Sequence, residues 1–337
     1  MILERRNLHK KFYLISLVSL FVLVVAAICI GRYTIAPLDV LHTLINPGSI
    51  DDKTIPVVIQ EVRIPRVVLA VVIGAGIAVA GASLQAIFGN PLVSEEILGV
   101  SSGASFGAAL GIVTIGTTLG IQAFAVLFGF GAMYLTYIIA KRRGRVTVLM
   151  LVLAGIITSS VFGSGVSLLK YFADPRNELP AITFWLMGSL ASASKETILR
   201  TLPSILISLF FLHKYRWQLN LLSLDEDEAI SLGVNVKKMR VIIIFFTTVI
   251  VAAAVSIAGV ISFVGLIVPH FTRMIVGTDN KHLVPATMIM GAIFMLITDT
   301  LARSLTSSEI PLSILSSLLG VPFFIYLLRR TGGVLDD

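Results

Sequence analysis

Nineteen consecutive residues, Phe12 to Ile30, carry no charge. A helix of that length rises about 28 Å, close to the hydrocarbon thickness of a bilayer. Nine further apolar runs follow, at Val67–Phe88, Ile97–Ile115, Leu119–Ala140, Val146–Leu169, Thr201–His213, Val241–Ile261, Phe263–Val276, Leu283–Leu301 and Ile310–Leu328. Runs of this kind satisfy their backbone in lipid as helices. The chain therefore reads as an all-α polytopic membrane protein of ten transmembrane helices, a single transmembrane unit over residues 1–337. Only 13% of it is charged, against about 25% in a soluble domain. The sixth and eighth runs are the shortest. The first run is too long for a cleavable signal core and lacks a small-residue cleavage site, so it is counted as a span.

Charge orients the spans. With the N-terminus inside, 17 of the 26 lysines and arginines fall on the cytoplasmic side and nine outside, which follows the positive-inside rule. Both termini are then cytoplasmic, with a short tail at 1–11 and a longer polar segment at about 214–240. The net charge of +7 is explained by this asymmetry, and no nucleic-acid partner is needed. Cys29 is the only cysteine, which excludes an intrachain disulfide and a cysteine metal cluster.

Within that polar segment lies a helix signature. Ser223 and Glu226 have capping-box spacing, Asp225 to Glu228 suit the positive end of a helix dipole, and Gly233 is a natural stop after Leu232. The helix implied is about nine residues, roughly 13 Å, too short to span a bilayer. It fits a docking element for a soluble partner and, equally, an ordinary structured loop.

Several chemistries are missing. There is no G-x-x-x-x-G-K-[ST] phosphate loop and no H-E-x-x-H helix, and the five histidines are scattered. Arg273 and Asp299 are the charges well inside spans, too few for the relay of membrane carboxylates a proton-driven carrier uses. Gly99, Gly103, Gly107 and Gly111 form an i, i+4 ladder beside Ser101, Ser102 and Ser105, and Gly155, Ser159, Gly163 and Ser167 form a second. Such stripes let helices approach closely; a smooth pore lining is the alternative.

An ordered set of motifs resembles a known family. Arg63-Ile-Pro-Arg66 precedes Gly74-Ala-Gly76, Gly81 and Gln85; Asn90-Pro-Leu92 leads into Ile97-Leu-Gly-Val-Ser101 and Gly103-Ala104. Trp185-Leu-Met-Gly188 and the Asp225–Gly233 loop follow, and after them the run from Gly259 to Pro269-His270, then Arg273. Asp299 with Arg303, Glu309-Ile-Pro311 and Gly320-Val-Pro-Phe323 close the chain. Across its whole length the chain looks like the permease subunit of a type II ABC importer, the group that takes up iron–siderophore chelates, haem and cobalamin. The resemblance implies a homodimer in the cytoplasmic membrane of a prokaryote. Two ATP-binding cassette subunits would lie below it, and an extracytoplasmic binding protein would dock above. ATP and Mg would be bound by the cassette subunits, and the permease would be neither an enzyme nor a holder of cofactors. Arg63, Arg66 and Arg303 match the family's docking arginines. Leu224, Asp225, Glu228, Ala229, Leu232 and Gly233 match its coupling helix, and Asn90, Leu92 and Thr147 match its cytoplasmic gate. The cargo implied is a metal chelate, an iron–siderophore first, with haem, cobalamin or an oxyanion such as molybdate as variants. The rival class is a secondary transporter driven by an ion gradient without an ATPase; a membrane scaffold or receptor without transport is a third.

Overall fold

Every residue from Ile73 to Phe88 is buried, although this helix has no polar face to hide. A helix apolar on all sides belongs in the middle of a bundle, and here it forms the axis of the protein. The computed structural model describes residues 2–46, 52–142, 145–224 and 226–332. In chain order the helices are α1 (Ile2–Cys29), α2 (Pro37–Ile45), α3 (Thr54–Val57), α4 (Ile64–Phe88), α5 (Val100–Thr114), α6 (Thr118–Ala140), α7 (Val148–Phe172) and α8 (Glu178–Met187). They continue as α9 (Lys195–Lys214), α10 (Arg216–Leu222), α11 (Glu226–Ser231), α12 (Val236–Ala258), α13 (Val264–Val276), α14 (Asn280–Ser304) and α15 (Leu312–Gly332). A π-helical turn, Val58–Arg63, joins α3 to α4, and a 3-10 turn, Glu95–Leu98, precedes α5. The only strands among the described residues are a two-residue hairpin, Lys141–Arg142 with Arg145–Val146.

Seven helices are long and apolar enough to span a bilayer, and α5, α13 and the 312–322 part of α15 are shorter apolar helices. Together they occupy the ten expected runs. The sixth run is longer than its apolar core suggests: α9 begins at Lys195, where the Ser194 hydroxyl accepts the Thr197 N–H at 3.1 Å, and it runs through Pro203. The third is shorter, because Gly99 at φ 75° separates the 3-10 turn from α5. The second continues back through the π-helical turn to Thr54, giving 35 residues. Two elements, α2 and α8, lie outside the expected spans; each has ten residues or fewer, too short to leave a span-length signal.

α4 packs against α9, α12, α13 and α14. Its glycines set the distances. A Cβ on Gly74 would collide with the backbone of Gly291 in α14, and one on Gly81 with the backbone of Gly265 in α13. Gly103, Gly107 and Gly111 face α6 in the same way, which makes that ladder a packing surface. Gly81→Val should therefore exceed the cost of ordinary overpacking, about 1–3 kcal/mol. The expected result is a clear fall in the melting temperature of the detergent-solubilised protein. Gly131→Val, at an exposed α6 position with open space around it, should leave the melting temperature unchanged.

Candidate functional site

In the polar segment at about 214–240, α10 and α11 form two short helices where one was expected. Ser223 closes α10 with helical backbone, φ −85° and ψ −7°, rather than the extended backbone of a cap on α11, which has six residues. Asp225 lies outside the described residues. The stop at Gly233 is as expected. Its φ is 83°, its N–H donates to Ile230 O at 2.9 Å, and the Val234 N–H donates to Ala229 O at 3.2 Å, a Schellman closure. Ala229 is buried and anchors α11 to the bundle, whereas Leu224, Ile230 and Leu232 are exposed. Glu228 is exposed beside them, so α11 offers a small apolar knob with an acidic flank.

A cleft of about 810 Å³ connects this helix to the start of α7. Glu226, Asp227 and Ile230 line one wall, and Val146 and Thr147 line the other. Thr147 caps α7 by accepting the Met150 N–H at 3.4 Å. Asn90 and Leu92 lie elsewhere. Gly89, at φ 58°, ends α4; the Asn90 side chain accepts the Leu92 N–H at 2.9 Å; and Leu92 projects toward a second cavity of about 690 Å³. Thr147 thus shares a cleft with α11, while Leu92 lines a serine-rich space between α5 and α7.

The three arginines matched to docking positions, Arg63, Arg66 and Arg303, are 3%, 4% and 7% exposed. Arg63 donates to Cys29 O at 2.9 Å and also to Ile28 O and Tyr33 O, and Arg303 donates to Ala27 O. The last carbonyls of a helix have no partner within it, and these two guanidinium groups take that place for α1. Arg66 bonds Asp299 at 2.8 Å and grips Glu309 in a two-toothed pair at 2.7 and 3.0 Å. Asp299 is also 3.6 Å from Arg303. The cluster therefore ties α1, α4, α14 and the loop before α15 together. Glu309 lies in that loop, outside the spans. Partial burial opposes its ionisation, but the Arg66 bonds win and hold it below the usual carboxylate range. Its pairing is thus intact at neutral pH and fails only as pH falls through that lowered value.

The FecCD transport family pattern matches residues 19–330. The chain belongs to the FecCD transport family. It is 42% identical over 318 residues to a molybdate import system permease protein of Haemophilus influenzae, covering 93% of this chain and 94% of that one. It is 35% identical to a probable iron chelatin transport system permease protein of Helicobacter pylori, covering 84% and 85%. A solved structure described as an inward-facing metal-chelate type ABC transporter superposes with a TM-score of 0.87 at 40% identity, covering 95% of this chain and 99% of that one. A FecCD chain is a permease subunit of an ABC importer, which accounts for an apolar bundle with no phosphate loop of its own.

One feature of this FecCD permease, the Glu95–Glu96 pair, escaped the sequence reading. Glu95 and Glu96 are adjacent carboxylates between two spans; in a chain this poor in charge the pair itself was the available signal. Glu309 closes the arginine cluster, and only the folded chain brings it to Arg66, 243 positions away in sequence.

Proposed function

We propose that two copies of this chain form the conduit of an ATP-driven importer for a metal chelate, in the inner membrane of a prokaryote with both termini cytoplasmic. Two ATPase subunits would grip α11 from below and a binding protein would deliver cargo from outside. The observation that carries this reading is α11 itself. It is short, anchored through Ala229 and stopped at Gly233, it presents Ile230 and Leu232 outward, and it shares a cleft with Thr147. A rigid element of that kind can pass nucleotide-driven closure to the start of α7 as rigid-body motion. In this reading Leu224, Asp225, Glu228 and Leu232 meet the ATPase, and Asn90, Leu92 and Thr147 control the inner opening. The binding protein would dock on a rim that Arg63, Arg66 and Arg303 brace from within. Relatives named for molybdate, iron chelatin and hemin support import of a metal-containing solute, with an iron chelate first among them.

The ion-driven alternative loses its one strong carboxylate, because Asp299 is fully buried between Arg66 and Arg303. Reconstitution decides the matter. Vesicles holding permease, ATPase and binding protein should accumulate a ferric chelate only with ATP, and vesicles holding the permease alone should accumulate none. Uptake by the permease alone along an ion gradient would overturn the proposal.

A further inference from the structure

The cavity of about 690 Å³ between α5, α7 and the α12–α13 break is lined by hydroxyl groups, among them Ser94, Ser101, Ser102, Ser159 and Ser262, and by one carboxylate, Glu96. No lysine, arginine or histidine lines it among the described residues. The Glu96 side chain is open to the cavity, and Ser262 Oγ donates to it at 3.3 Å. Glu95 points the other way. It is 3% exposed, it packs over Gly265 at the start of α13, and no cation pairs with it among the described residues. Both residues lie in the connector between α4 and α5, outside the spans. Burial, with the Glu96 charge beside it, pushes the Glu95 carboxyl up to about 8. At neutral pH Glu95 therefore stays mostly protonated, and the carboxylate that faces the cavity is Glu96, whose pKa burial raises and the Ser262 hydrogen bond lowers.

We propose that Glu96 sets the sign of charge admitted to this cavity: hydrogen-bonding solutes that are neutral or cationic enter, and small free oxyanions are turned away. This rests on the permease reading, in which the cavity belongs to the transport path. The physical basis is that a cleft with low-dielectric walls and charge of one sign focuses the field within it. The hydroxyl groups supply donors and acceptors without charge, which suits the polar surface of a chelate whose metal charge is already neutralised by its ligand.

The test reads the cavity directly. Full-length permease with its ATPase, in nanodiscs, carries Cys29→Ser and Ser159→Cys. The new thiol is treated in turn with a trimethylammonium-bearing and a sulfonate-bearing methanethiosulfonate of equal length. Relative to a free thiol, the cationic reagent should be favoured at least about tenfold. Glu96→Gln should bring the ratio close to the free-thiol value, and Glu96→Asp should keep the preference. Glu96→Ser serves as a second neutral variant if Glu96→Gln does not fold. An unchanged ratio in the neutral variants, a preference for the anionic reagent, or no modification by either reagent would overturn the proposal. ATP-driven chelate uptake is measured separately, so failure of the permease reading leaves the reagent ratio interpretable.

Discussion

Replacing Asp299 with alanine is expected to destabilise the permease by about 3–5 kcal/mol, the cost of removing one partner from a buried ion cluster. Among the described residues Asp299 is the only anion that pairs with both Arg66 and Arg303, at 2.8 and 3.6 Å. Without it Arg66 keeps Glu309, but Arg303 keeps only the Ala27 carbonyl for a buried charge. Thermal unfolding in detergent should show the loss. Glu196→Ala, which breaks the exposed Arg200–Glu196 pair, should change stability by no more than about 1 kcal/mol. The same geometry sets the expectation for Arg63→Glu with Arg303→Glu. That pair of substitutions sets carboxylates against the carbonyls at the end of α1, so assembly itself should fail, before any docking step is reached. A double variant that assembles normally yet no longer binds its external partner would restore the direct-grip role.

The spans were legible because lipid imposes one rule on every segment: cover the backbone and remain apolar for about twenty residues. That rule finds α1, α6, α7, α12 and α14 with small errors at their ends. It fails where the bundle rather than the lipid surrounds the chain. α5 and α13 are short, and the connectors before them pack against the protein, where Glu95 and Ser262 are accommodated. The glycine ladder of α5 was legible as a packing surface. Its serine side was not fixed as a cavity wall, because spacing along one helix does not say which neighbour is missing. The arginines were placed on the outer side by charge counting. Their burial was invisible, since their acceptors are backbone carbonyls of α1 and a carboxylate more than 230 positions away. Of the coupling element the stop was legible in a single residue, Gly233. The absence of a Ser223 cap was not legible, because Ser223 has helical backbone and ends α10, which spacing alone does not reveal.

Gly233→Val is expected to uncouple the transporter while leaving the bundle folded. Gly233 holds φ 83°, a region where a β-branched residue is a genuine outlier, and the left-handed conformation costs an L-residue roughly 1–2 kcal/mol. Space is not the difficulty, since nothing lies within 4 Å of a Cβ built there. The strain falls instead on the two hydrogen bonds that close α11, from Gly233 to Ile230 and from Val234 to Ala229. If they open, Ile230 and Leu232 lose their fixed direction while Ala229 stays anchored. A penalty of about 1.4 kcal/mol on the docked geometry is tenfold in affinity, so co-purification of the ATPase should fall by roughly that factor. ATP hydrolysis should no longer rise when cargo is delivered, whereas the melting temperature of the permease alone should hold. Gly233→Asn discriminates between strain and mere loss of glycine, because asparagine tolerates the left-handed region and should restore most of the coupling. Full association and cargo-stimulated hydrolysis in Gly233→Val would mean that force enters the bundle somewhere other than α11.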